Sequence, residues 1–450
     1  MTQPYVLSSG ELSIPVPRLT RRKIINITVS VVLILSIGCI LSLNTFAADK
    51  LLYSNDLTYL GAFKVPAGSY GGSEYDTFSY SGAAIAFNPA NNSLFISSHI
   101  NVQYVGEINI PTPVNSSNIN SIPSATVRQN AYDIMEGHRT HIKAGGAAET
   151  TQKVNIGGLW IDTVQNKLIG TVFNYYDGDT SQELEHFTSG LTLSTSGDFT
   201  GMWKVGANFS GIGAGYKSGY MTAVPSSWQS AIGGRALTGD CCNSIIGRTS
   251  RGPSAFVFNP SDLGVKEPTP QIPMLYYDPI HPTLGDYADP GTDHLWKAAD
   301  RIGGVVWPPG TKTILYYGHH GLGVHCYGEA SACGDPIQIY KGTHAYPYTF
   351  YMWAYNADDF LAVKNGTKQP WQVVPYTTWA ITFPFPIENV DHRPSAAYDP
   401  ATQRLYLSQP YGWNWSMPLI HVYKVNIGIT PPPDPTPSTP TLLRVSQLGE

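Results

Sequence analysis

Apolar residues in this chain come in short alternating runs broken by Gly, Pro, Asn and Asp, the rhythm of strands and tight turns. The clearest run is GAAIAFNPANNSLFISS, Gly82 to Ser98: an apolar strand, a polar turn opened by Asn-Pro, and a second apolar strand. The chain writes it again as SAAYDPATQRLYLS, Ser395 to Ser408, with the same six-residue step from Asn88 to Leu94 and from Asp399 to Leu405. A third copy, GGLWIDTVQNKLIGTVFNYY, begins at Gly157, and a more diverged one, GGVVWPPGTKTILYYG, at Gly303. The turn therefore recurs at 88, 162, 308 and 399, at intervals of 74, 146 and 91 residues. The middle interval is about two of the 74-residue units, which predicts a further copy near 220–260.

A companion pattern follows some of these hairpins. AFVFNPSDLG (Ala255 to Gly264), MWAYNADDFLA (Met352 to Ala362) and IHVYKVN (Ile420 to Asn426) each run from an apolar strand into an Asn. Two inner strands across the Asn-Pro or Asp-Pro turn, then outer strands, make a four-stranded antiparallel unit, the blade of a propeller. Such a blade is apolar on both faces and is covered only by its neighbours, so blades occur in rings. The small pair opening each inner strand (Gly82-Ala83, Gly157-Gly158, Gly303-Gly304, Ser395-Ala396) suits strands converging on a crowded axis. The predicted fold is all-β, a propeller of six or seven four-stranded blades over residues 49–428.

The turn motif, D/N-P-x-T/N-x-x-L-Y/F followed by an apolar residue and Ser, resembles the repeat of secreted β-propellers of the YVTN, NHL and gluconolactonase-like kind. The resemblance implies blade architecture. Those families include scaffolds, binders and enzymes, so it implies no particular activity and no catalytic set.

Composition agrees with short strands: 44 Gly, 35 Pro and 28 Tyr in 450 residues, with 13% charged and 42% hydrophobic side chains. Residues 1–48 read separately. Arg18, Arg21, Arg22 and Lys23 precede an uncharged apolar run, Ile24 to Leu43, and Thr45-Phe46-Ala47 offers a cleavage site. This is a signal peptide or a single membrane anchor helix behind a cytoplasmic stub, and either one places the propeller outside the cytoplasm, secreted or anchored. Residues 429–450 form a Pro-rich linker or tail, with six prolines between Pro431 and Pro440. Four of the 27 basic and one of the 32 acidic residues precede residue 49, so the remainder holds 23 basic against 31 acidic side chains, a net charge of −8. No basic stripe for a phosphate backbone is present, and nucleic acid is not an expected partner. Of the three pairings that four cysteines allow, Cys326 and Cys333 are expected to close a local disulfide; Cys241 and Cys242 are then a vicinal bridge or a reduced pair, unless both cross to the other loop.

Candidate chemistry concentrates between Tyr316 and Tyr348. His319, His320, His325 and His344, with Tyr316, lie on a Gly-rich insertion after an inner strand, where a His–Tyr pair could act as acid and base or the imidazoles could hold a metal. Their spacing matches no zinc motif, and the plainer reading is a hydrogen-bonded, disulfide-tied loop. Asp177, Asp179 and Glu183, and separately Asp286 and Asp289, are close enough in sequence to wrap Ca²⁺, although neither group has EF-hand spacing. Trp413, Trp415 and Tyr346 on loops could stack on sugar faces, and Arg139 could read a carboxylate. There is no P-loop, GxGxxG or G-x-S-x-G elbow. The expected function is extracellular binding of a glycan or partner protein at the channel mouth. The alternatives are a lyase-like propeller enzyme acting on polysaccharide and a structural surface protein.

Overall fold

The computed structural model describes residues 50–428 apart from 72–73, 151–152, 245–247 and 287. The predicted signal or anchor segment and the Pro-rich tail lie outside the described residues. Within them, no helix is long and apolar enough to cross a membrane.

The strands form five four-stranded antiparallel sheets. The chain opens with β1 (Leu57–Lys64) and then builds the first blade from β2 (Ile85–Asn88), β3 (Ser93–Ser97), β4 (Val105–Asn109) and β5 (Thr126–Tyr132). The second blade is β6 (Val154–Asp162), β7 (Lys167–Asn174), β8 (His186–Ser189) and β9 (Thr200–Trp203). The third is β10 (Met221–Ala223), β11 (Ala236–Thr238), β12 (Ala255–Phe258) and β13 (Gln271–Leu275), with helix α1 (Ser226–Ile232) inserted in its inner hairpin. In the fourth, β14 (Arg301–Val306) and β15 (Thr313–Gly321) are separated from β18 (Tyr348–Asn356) and β19 (Thr377–Ile381) by a small sheet. That sheet pairs β16 (Cys326–Gly328) with β17 (Gly342–His344), and helix α2 (Ala330–Cys333) lies between them. Helix α3 (Ala357–Lys364) follows β18. The last blade is β20 (Ala396–Asp399), β21 (Arg404–Trp413) and β22 (Met417–Val425), and β1 returns from the start of the chain as its outermost strand. Leu57 pairs with Val425 and Lys64 with Leu419, which closes the ring.

The expected six or seven blades are thus corrected to five. The surplus length that suggested extra blades is spent on insertions within blades, above all residues 322–347. The predicted copy near 220–260 is the third blade, whose inner hairpin lost its turn signature to α1.

The repeat has a local cause. Asn88, Asp162 and Asp399 each accept, through Oδ1, the backbone N–H two residues on, at 3.1, 3.0 and 2.9 Å. Four residues after each, Asn92, Asn166 and Gln403 take φ values of 49°, 54° and 55°. An Asx turn followed by a left-handed residue closes all three hairpins. The small pairs at the strand starts are equally determined. A Cβ on Gly157 would sit 1.6 Å from the Ser218 carbonyl oxygen, and one on Gly303 would sit 2.3 Å from that of Pro394. Inner strands of adjacent blades approach there too closely for any side chain.

Candidate functional site

Because each inner strand starts at the axis, the residues just before the small pairs surround one end of the channel. They line a cavity of about 600 Å³. Tyr80 comes from before β2, Lys153 from the approach to β6, Arg301 from the head of β14, and Asp391, His392 and Arg393 from before β20. The ends of the second strands add Ser97, Phe173 and Tyr411. The insertion of the fourth blade supplies one wall, including Tyr327, Tyr340 and Lys341.

Arg393 occupies the centre. It is buried, and its guanidinium donates to the carbonyls of Gly157 and, at 3.4 Å, Ile156 in the second blade. It also reaches Asp240 of the third blade at 3.5 Å and lies 5.2 Å over the Phe173 ring. One side chain of the last blade therefore ties two others together. Burial drags the Arg393 guanidinium down to about 10, with Asp240 and Tyr220 opposing, so it remains a cation at neutral pH. Asp240 is fully buried and is pushed up to about 7 by desolvation, against the pull of Arg393. Asn243 donates to its Oδ1.

Beside Arg393 stands a knot of aromatic and imidazole rings. His392 lies 5.0 Å from Tyr411 and 6.4 Å from Tyr80, while His99 lies 5.3 Å from Tyr80. The Asn101 backbone N–H donates to His99 Nδ1 at 3.1 Å, which leaves the His99 proton on Nε2. His392 Nδ1 is enclosed and has no hydrogen-bond partner among the described residues. Burial, with Lys153 and His99 adding to it, lowers His392 to about 4, so the ring is neutral at physiological pH. Burial raises the Tyr411 phenol far above its ordinary range, and the carboxyl of Asp391 is raised by the same cause. Tyr80, Gln103, Cys242 and Tyr411 all border the cavity with φ between 53° and 73°. Side-chain-bearing residues adopt that conformation at a cost, and four together mark a region whose shape is held by its surroundings.

The cysteines pair as 326–333 and, vicinally, as 241–242. Two disulfides are consistent with an extracellular location. Cys242 borders the cavity, and Trp296 Nε1–H donates to its Sγ at 3.3 Å.

The residues singled out from sequence stand elsewhere. None of Tyr316, His319, His320, His325 and His344 borders the cavity. Tyr316 is fully buried in the core between the third and fourth blades, and His319 is enclosed on β15 with its pKa driven well down by desolvation. His320 Nδ1 bonds to Asp300 at 2.7 Å. His344 Nδ1 bonds to Asp335 at 3.0 Å, and the Tyr348 hydroxyl donates to the same carboxylate at 2.7 Å. Burial alone would raise Asp335, but the N–H groups of Gln338 and Ile337, with Tyr348 and His344, hold it below its ordinary value. These bonds brace the insertion. The insertion does reach the channel mouth, through tyrosines and a lysine rather than histidines.

Trp413, Trp415, Tyr346 and Arg139 also lie off the cavity lining. Trp415 is two-thirds exposed and packs edge-on against Tyr80 at 5.7 Å, and Arg139 donates to the Val102 carbonyl. Of the acidic residues considered for Ca²⁺, Asp177 accepts the Gln182 N–H at 3.2 Å, Asp179 accepts that of Ser181, and Glu183 pairs with Lys204. Asp286 pairs with Arg251 at 2.8 Å and Asp289 with His294 at 2.8 Å. Among the described residues no three His, Cys, Asp or Glu side chains gather as a metal site would require.

No family model matches the chain, and no curated protein does. A solved structure of a luciferin-regenerating enzyme aligns over 82% of this chain and 94% of its own, at 8% identity and a TM-score of 0.33. A likeness of that strength carries no argument about either fold or function.

What sequence reading missed was His392-Arg393. The signal was present: these two residues directly precede Pro394 and the small pair Ser395-Ala396, the position that delivers a side chain to the axis in the other blades.

Proposed function

We propose that the channel mouth binds an acidic saccharide. The observation that carries this reading is the lining itself: five basic side chains (Lys153, Arg251, Arg301, Lys341, Arg393) against one carboxylate, Asp391, together with seven aromatic rings. A chain of net charge −5 has no general reason to gather cations at one cavity, and the local field there favours an anion. Arg251 spends part of its charge on Asp286 and Arg393 part of its own on Asp240, and Arg301 donates to the Ala298 and Asp300 carbonyls, which leaves the cavity a net positive lining. Tyr175, Tyr327 and Tyr340 are about half exposed or more and present flat faces of the kind that stack on sugar rings. A concave site of about 600 Å³ suits an oligosaccharide of a few residues better than a protein surface.

The test is calorimetric titration with uronate oligosaccharides and with neutral oligosaccharides of equal length. Acidic ligands should bind and weaken with added salt, and neutral ones should not bind comparably. Lys153→Ala and Arg301→Ala should each weaken binding roughly ten- to a hundredfold, the worth of one charge-assisted hydrogen bond. Equal binding of neutral and acidic ligands, or no binding of either, would refute the reading.

A further inference from the structure

We propose that the same cavity cleaves its ligand by syn β-elimination, with His392 removing the C5 proton of a 4-linked uronate and Tyr411 protonating the departing O4. This rests on the acidic-saccharide reading and specifies its substrate. Two groups of opposite proton function stand together in the cavity: an imidazole with an enclosed, unpartnered Nδ1, and a phenol whose ring centre is 5.0 Å away. Burial supports the assignment of roles, since it keeps the imidazole unprotonated and the phenol protonated at neutral pH. The groups facing His392 are Lys153, His99, Tyr80 and Tyr411, with Asp391 its neighbour in the chain. Cations are therefore at hand for the substrate carboxylate: Lys153, whose charge acts on His392, and Arg301 on the same lining. Neutralising that carboxylate is what makes the C5 proton acidic enough to leave.

The step balances without a co-reactant. The C5–H bond breaks and its proton goes to the His392 imidazole. The electron pair forms the C4=C5 double bond as the C4–O4 bond breaks, and O4 takes the Tyr411 phenol proton. Proton return from the imidazolium to the phenolate restores the site, leaving one unsaturated uronate end and one new hydroxyl end. Base and acid so close together serve one face of a sugar ring. The substrate must then carry H5 and O4 on the same face, as D-glucuronate and D-mannuronate do, and not on opposite faces, as D-galacturonate and L-guluronate do.

The experiment incubates the protein with glucuronan, polymannuronate, polygalacturonate and polyguluronate, following the ultraviolet band of the conjugated product and, in parallel, binding by calorimetry. Unsaturated product is expected from the first two polymers. His392→Gln and Tyr411→Phe should each lower turnover about 10²- to 10⁴-fold, with affinity and melting temperature little changed. Binding without unsaturated product would overturn the elimination while leaving the acidic-saccharide reading intact, and absence of both would remove the two together. Cleavage confined to polygalacturonate or polyguluronate, or full turnover by His392→Gln, would overturn the assignment of this pair.

Discussion

His421 offers a quantitative test of how the fold encloses its histidines. It lies on β22, fully buried, stacked on Phe383 at 3.6 Å between ring centres. Gln409 turns its Oε1 towards Nε2 at 2.8 Å, because its own Nε2 donates to the Pro386 carbonyl. His421 Nε2 must then be the donor, which leaves Nδ1 to accept the Tyr59 hydroxyl at 3.0 Å. Both nitrogens are thus satisfied in the neutral form, and desolvation lowers the pKa from 6.5 to about 3. The sign follows from linkage: between these values the unfolded chain holds a proton that the folded chain refuses, so stability falls as pH drops below 6.5 and is unaffected above it. At about 1.4 kcal/mol per unit, the loss is roughly 2 kcal/mol by pH 5 and approaches about 5 kcal/mol near pH 3. Other enclosed histidines, among them His186, His319 and His392, add to the slope in the same direction. His421→Gln isolates one proton, since the amide can meet both Gln409 and Tyr59 without titrating. Urea unfolding followed by tyrosine and tryptophan fluorescence at pH 8, 7, 6 and 5 should show the variant gaining on the wild type by about 2 kcal/mol across that range. Parallel pH profiles would refute the argument.

Two further perturbations probe the axis. Arg393→Met should lower stability by about 3–5 kcal/mol, because it strands Asp240 in a dry site. The loss should grow as pH rises through about 7, where the folded wild type ionises this carboxyl against Arg393 and the folded variant still resists, and Asp240→Asn added to it should recover part of the urea midpoint. Gly157→Ala forces a Cβ against the Ser218 carbonyl and should cost more than about 3 kcal/mol or prevent folding. Gly342→Ala, which meets no atom within 4 Å, should be tolerated, so equal midpoints for the two variants would contradict the close approach of inner strands.

The regular part of this molecule was written locally and could be read. Asn88, Asp162 and Asp399 close their own turns within a few residues, so every hairpin that kept the Asx signature was visible. The inner hairpin of the third blade was not, because α1 replaces that turn between Ala223 and Ala236, and only the spacing of its neighbours located the blade. Blade number depends on which strands share a ladder, and the closing pair β1–β22 joins segments more than 350 residues apart with no mark on either. The site divides in the same way. The stretch was found from its composition, yet its histidines turned inward, because Asp300, just before β14, takes His320, and Asp335, within the insertion, takes His344 before either reaches the channel. Arg393 was overlooked because a lone basic residue before a proline resembles any solvated loop, and only closure of the ring makes it central.

The seam between β1 and β22 has a mechanical consequence. Leu57 and Val425 are opposite one another at one end of an antiparallel ladder that runs to Lys64 and Leu419. Tension applied between residues 57 and 425 meets the hydrogen bonds one pair at a time, since each bond lies across the strands and in line with the pull. The ring would part there by unzipping at low force, with no need for all its pairs to shear at once.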